Sequence, residues 1–291
     1  MNVSSENQAT PSILDLINRT LELPTIPSVL VKLNEVMADP EASAEDVAKV
    51  ISLDPAVSTN ILRIVNSAYY GLQVRVSSVN LAVSIMGFNM TKKVALKAAV
   101  FSVFAKKGHE KIEYFEPKAF WQHSIFTGVL ARVLGQSSVN FAGIHPEDLY
   151  ICGLLHDIGK IILLENATDD FARMLKTSIK EKRSMTEVEQ EVLGFSHADV
   201  GSVLAIKWFL PEDLTIAIRY HHSPERDPFH KTLSSLICLA DGLASKSGKP
   251  AFLAAQHEEP KEELYDLVGI DPENVEALIS KTNEEYAGTG M

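Results

Sequence analysis

No apolar run in the sequence approaches the ~18 residues that a bilayer-spanning helix needs, so no segment is expected to cross a membrane. Basic residues are in deficit. Against 38 Asp and Glu stand 27 Lys and Arg, a formal charge of −11 that opposes attraction to phosphate backbones and anionic lipid, so neither a DNA nor a membrane partner is expected. Cysteine is scarce: Cys152 in LYICGLL and Cys238 in SLICLAD each sit in an apolar run, where a small buried thiol is expected rather than a disulfide. The first ten residues, MNVSSENQAT, lack the basic and apolar regions of a signal peptide. These absences together point to the cytoplasm and reduced thiols. Strict apolar–polar alternation over a strand's length is also rare, which leaves little room for sheet.

Apolar spacings of three and four are abundant instead. In 291 residues, 46% of them hydrophobic, they predict an all-α chain with ample core. Helices are expected at about 11–22, 27–38, 44–52, 55–67, 78–86, 90–106, 117–136, 146–164, 168–182, 186–194, 197–208, 211–222, 230–247, 260–268 and 272–286. Ser43 and Asp54-Pro55 read as N-terminal signals, Pro146 as a first helical residue, and Gly87 and Gly135 as C-caps. The polar stretch KGHEKIEYFE, residues 107–116, is a natural division between an N-terminal helical bundle packed on a second one.

The histidines are unevenly placed: none precedes His109. His123 lies in AFWQHSIFTGVLARVLG, His156 and Asp157 in YICGLLHDIGK, and His197 opens SHADVGSVLAIKW. His221 and His222 end TIAIRYHH, and Asp241 lies in SSLICLADGLASK. Each segment is apolar enough to pack inward, and a buried imidazolium or carboxylate costs several kcal/mol unless it is paired, neutralised or metal-bound. Singly, each has an ordinary explanation: a hydrogen-bonded core histidine, a helix-start residue beside the better cap Ser196, a cation at a helix C-terminus. Seven together imply a shared site. Mixed nitrogen and carboxylate donors suit Fe, Mn, Zn or Co better than Ca, and two ions could share Asp157 as a bridge. Lys160, one turn after His156, is either a solvated C-terminal lysine or a phosphate contact.

The order H, HDIGK, H, HH, D resembles the HD superfamily of metal-dependent phosphohydrolases, and most closely its HD-GYP branch, which hydrolyses cyclic di-GMP at a two- or three-iron centre. The resemblance implies His123, His156, Asp157, His197, His221, His222 and Asp241 as ligands of one or two transition-metal ions, iron first and manganese or zinc after it. It makes Lys160 the lysine of HDxGK. Two departures stand out. The branch's DGxGYP loop is absent after His222, and its additional glutamate corresponds to Ala119, so a third ion is not expected.

LPTIP, DVAKVISLDPAVSTNILRIVNSAYYG and AVSIMG, within residues 23–87, resemble the HDOD domain, the HD-related output domain of bacterial signalling proteins. That likeness implies a 1–14 tail and an HDOD domain over 15–245, made of a 15–107 helical subdomain and a 108–245 metal-binding subdomain. A 246–291 helical extension would follow. It further implies a regulatory output module whose partner is a signalling protein or a nucleotide. A metal-dependent phosphohydrolase or cyclic-dinucleotide phosphodiesterase, with Asp157 catalytic and Lys160 on phosphate, is the alternative; a scaffold secured by metal is a third reading. In the N-terminal half, the stripe Val57, Ile61, Ile64 and Val65 reads as core, and Asn66, Ser67, Tyr69, Tyr70 and Gly71 as a helix end at the junction of the halves. Lys92, Lys93, Lys97, Lys106 and Lys107 read as a solvated basic face.

Overall fold

The computed structural model describes residues 12–14, 28–53, 55–66, 70–104, 112–141, 144–208, 210–252 and 260–287. Every extended regular element among them is helical, as the apolar spacing predicts. The chain divides into two compact units, one of residues 21–110 and one holding residues 111–291.

In the first unit, α1 (Ser28–Ala38), α2 (Ala44–Ile51) and α3 (Pro55–Val65) pack on the long α4 (Val79–Phe104). Ser43 and Asp46 form a reciprocal capping box at the start of α2, satisfying N–H groups that the helix itself leaves open. Val57, Ile61 and Val65 of the expected core stripe are fully buried, and Ile64 is half-buried. The Asn66 amide donates to the carbonyls of Leu62 and Val76 and its oxygen accepts the Val76 N–H, so it pins the chain between α3 and α4. Ser67, Tyr69, Lys106, Lys107 and the Asp54 cap lie outside the described residues; Lys92 and Lys93 are half-buried. Gly87 breaks α4 internally with φ +73°, a left-handed value that costs glycine nothing and explains the two separate helices expected there.

The second unit is built around α5 (Pro117–Ser137), which is buried on nearly every face from Phe120 to Gly135. Around it lie α6 (Pro146–Leu155), α7 (Ile158–Asn166), α8 (Thr168–Glu181), α9 (Met185–Leu193), α10 (His197–Lys207), α11 (Glu212–Tyr220), α12 (Lys231–Lys246), α13 (Glu262–Val268) and α14 (Val275–Ala287). Helix α5 packs on α6, α12 and α14, while α10 packs on α7 and α11. Glycine allows the closest approach: a Cβ on Gly153 of α6 would lie 2.7 Å from the Thr127 carbonyl oxygen of α5, so the two backbones touch.

Two expectations need correction. The helix expected over 146–164 is two helices, interrupted at His156 and Asp157. Gly135 does not cap α5, which continues to Ser137; a Cβ at 135 would instead collide with Leu149 of α6. Cys152 is buried, Cys238 half-buried, and neither forms a disulfide among the described residues. No helix among the described residues is long and apolar enough to cross a membrane.

Candidate metal centre

The interruption between α6 and α7 creates the centre of the site. His156 is the C-cap of α6 and Asp157 the N-cap of α7, so the imidazole sits at a partial negative pole and the carboxylate at a partial positive one. Both are fully buried. His123 projects from the middle of α5, His197 is the first residue of α10, His221 and His222 directly follow α11, and Asp241 projects from α12. The structure therefore brings all seven expected residues to one place from five separate regions of the chain.

They fall into two groups, each with donor atoms mutually within 4.8 Å: Asp157, His197, His221 and His222 in one, and His123, His156 and Asp241 in the other. Asp157 lies between them. Its Oδ1 is 3.2 Å from His197 Nε2 and 3.5 Å from His221 Nε2, while its Oδ2 is 3.4 Å from His156 Nε2 and 3.8 Å from His123 Nε2. Asp241 Oδ1 is 3.1 Å from His123 Nε2.

The outward nitrogens fix which atoms face inward. Nδ1 of His123 is 2.7 Å from the Lys249 carbonyl oxygen, Nδ1 of His156 2.7 Å from that of Gly153, and Nδ1 of His221 2.7 Å from that of Ile218. A carbonyl only accepts, so each ring carries its proton on Nδ1 and turns Nε2 to the interior. His197 differs: its ring Nδ1–H and its backbone N–H both donate to Oε2 of Glu189, a fully buried carboxylate on α9.

This arrangement fits a metal. The Nε2 atoms of His123 and His156 face each other at 3.4 Å, and those of His197 and His222 at 3.0 Å. Two such nitrogens are satisfied only by a proton on one of them or by a cation common to both. Asp157 Oδ1 and His221 Nε2 are buried with no hydrogen-bond partner, an expensive state for bare polar atoms unless a cation takes their lone pairs. The cluster can therefore hold transition-metal ions through seven side chains of the donor types such ions prefer.

The electrostatics agree. Burial pushes the Asp157 carboxyl up, yet His156 and Lys160 beside it hold it well below the usual carboxylate range. Burial likewise works against ionised Asp241, and His123 and His156 outweigh it. Burial lowers His221 to about 4, so that ring stays neutral and able to ligate. Burial also disfavours protonated His156 and His197, but Asp157 with Asp241 at the first, and Glu189 at the second, raise them. A metal must displace whatever proton those two rings carry.

Lys160 is buried rather than solvated. Its ammonium donates to Asp157 Oδ2 at 2.6 Å and lies 5.0 Å from the centroid of Phe252. The site opens into a cleft of about 1050 Å³ whose wall includes Lys160, Asp241, His222, Arg219 and Arg226. The segment after His222 is held in place: Asp227 accepts the N–H groups of Phe229 and His230 and the hydroxyl of Ser234.

Sequence reasoning missed Glu189 and the three backbone carbonyls. An acid eight residues before His197 does not announce its burial in the sequence, and carbonyl positions leave no signal.

The family model of the HDOD domain matches residues 23–224. The chain is 29% identical over 245 residues to an uncharacterised protein of Treponema pallidum (strain Nichols), which covers 82% of this chain and 45% of that protein. The chain thus spans less than half the length of that curated relative. Among solved structures, a protein of Marinobacter aquaeolei VT8 provisionally described as acting in signal transduction superposes with a TM-score of 0.73 at 24% identity, over 93% of this chain and 59% of that one. One from Shewanella amazonensis SB2B, provisionally described as a phosphohydrolase, gives 0.68 at 22% identity over 92% and 93%. At these identities the likeness speaks for the helical fold alone. Because the domain match spans most of the sequence, the chain belongs to the HDOD family.

Proposed function

We propose that the protein is a regulatory output module that holds one or two transition-metal ions, iron first among them, and acts by binding a signalling protein or a nucleotide. His123, His156, Asp157, His197, His221, His222 and Asp241 are its ligands in this reading, and Asp157 bridges the two halves. The observation that carries the choice of module over enzyme is the engagement of Lys160. The one buried ammonium at the metal cluster among the described residues is bonded to Asp157 Oδ2, which supports a lysine that serves the cluster's own carboxylate over one that positions a phosphoester. The 223–230 segment supports the same reading: two prolines, no glycine and a carboxylate that fixes its backbone make it a rigid wall.

The alternative, a metal-dependent phosphohydrolase, is favoured by the cleft that reaches His222 and Asp241 past Arg219 and Arg226. Metal bound here would supply Lewis acidity and an activated water. Arg219 and Arg226 would place a phosphoryl group, and Asp157 would be the catalytic carboxylate.

The separating experiment is turnover of cyclic di-GMP and simple phosphomonoesters by metal-loaded full chain, beside Asp157→Asn. The module reading expects turnover of cyclic di-GMP well below about 1 per second. Faster turnover that Asp157→Asn removes makes the protein an enzyme.

A further inference from the structure

The two halves of the cluster differ in what an incoming ion meets. On the side of His197, His221 and His222, Asp157 offers Oδ1 and His221 offers Nε2, and neither atom has a hydrogen-bond partner; the proton that His197 and His222 share at 3.0 Å is what an ion displaces there. His197 on that side is held by Glu189 through two bonds to a single oxygen, at 2.7 Å from the ring and 2.8 Å from the backbone. The second Glu189 oxygen is buried without a partner, so the carboxylate's hydrogen bonding is devoted to His197. A carboxylate behind an imidazole fixes its orientation and makes it a stronger donor than a carbonyl does, and His123, His156 and His221 have carbonyls in that place.

On the side of His123, His156 and Asp241, Asp157 offers Oδ2, which already accepts from Lys160. An ion entering there must displace a buried ammonium from its carboxylate. It must also part Asp241 from His123. At short range in a buried site, two cations on one carboxylate oxygen repel strongly.

We infer that the cluster loads in a fixed order. The position bounded by Asp157, His197, His221 and His222 fills first and more tightly, with Glu189 as its positioning residue. The position bounded by His123, His156 and Asp241 fills second, against Lys160 as an internal competitor. Lys160, once displaced, is left in the wall of the cleft, so the singly and doubly loaded forms present different charge to a ligand there. This inference rests on the metal-centre reading above.

Titration of metal-free full chain with Co²⁺, followed by visible absorption and calorimetry, tests it. Wild type should take up cobalt in two resolved steps. Glu189→Gln keeps the side chain's size and should weaken the first step by about 10- to 100-fold while leaving the second within about threefold. Lys160→Met should tighten the second step about tenfold or more and the first step by less, since Lys160 bonds the Asp157 oxygen on the second side. A circular dichroism spectrum of each metal-free variant checks folding, and if Glu189→Gln does not fold, Lys160→Met decides alone. Two equal steps, a Glu189→Gln effect on the second step only, or a weaker second step in Lys160→Met each overturn the order. Wild type that takes up no cobalt overturns the metal centre itself, a separate outcome from a centre that loads without order.

Discussion

Gly159, the glycine of HDIGK, is explained by backbone packing without any ligand role. A Cβ there would lie 1.9 Å from the His197 carbonyl oxygen and 2.9 Å from the Gly201 amide nitrogen, both rigid backbone atoms of α10. The motif thus needs glycine so that the helix after Asp157 can press against the helix that begins with His197. Gly159→Ala should destabilise metal-free protein by about 1–3 kcal/mol or more, read from urea unfolding of wild type and variant. An unchanged midpoint would mean that the two helices separate without cost. At this scale the ligands were legible because buried histidine and aspartate in apolar segments demand a partner. Glu189 was not, since an acid on α9 looks like any solvated helix residue until its burial is known.

Helix positions were legible from periodicity, as the agreement from α2 through α14 shows, but the break between α6 and α7 was not. Both sides of it are apolar and buried, so hydropathy carries no punctuation there, and no proline marks it. Gly135 misled for a related reason: glycine reads as a helix end, and here it serves close packing inside one. The segment between α11 and α12 shows how much a single side chain fixes. Burial pushes the Asp227 carboxyl up, while the N–H of His230, the hydroxyl of Ser234 and the N–H of Phe229 outweigh it and hold it below its ordinary value. A depressed folded-state value means that the stabilisation is present above the unfolded pKa of about 3.9 and is lost as pH falls through the folded value. Asp227→Ala should cost about 1–2 kcal/mol at pH 7, with the two stability curves converging as pH falls below about 4. Curves separated by the same amount at pH 3 and pH 7 would rule out this origin.

The second unit incorporates its C-terminal segment. Tyr286 stacks edge-on with Phe126 of α5 at 5.4 Å, and Arg132 of α5 bonds both Glu147 of α6 and Glu285 of α14. The Lys249 carbonyl also holds His123. The sequence reads residues 246–291 as an extension because the recognisable motifs end before them, whereas the contacts of Lys249, Glu285 and Tyr286 join residues more than a hundred positions apart and have no local signature. Deleting residues 272–291 should therefore lower stability by at least about 3 kcal/mol, through exposure of Phe126 and a half-buried Arg132 left with one partner fewer. A truncated chain with wild-type melting temperature would show α14 to be dispensable. Since the site draws on five regions of the chain, metal should stabilise the whole unit by linkage, and chelation should lower the melting temperature by several degrees, as about 1–2 kcal/mol implies at this size. The most direct test of the metal centre is elemental analysis of protein purified without added metal, beside a His156→Ala, Asp157→Ala double variant. The account predicts about one to two transition-metal ions per wild-type chain and near none in the folded double variant. Less than about a tenth of an ion per wild-type chain, with a melting temperature indifferent to chelator, would contradict it and leave the cluster as a hydrogen-bonded polar core.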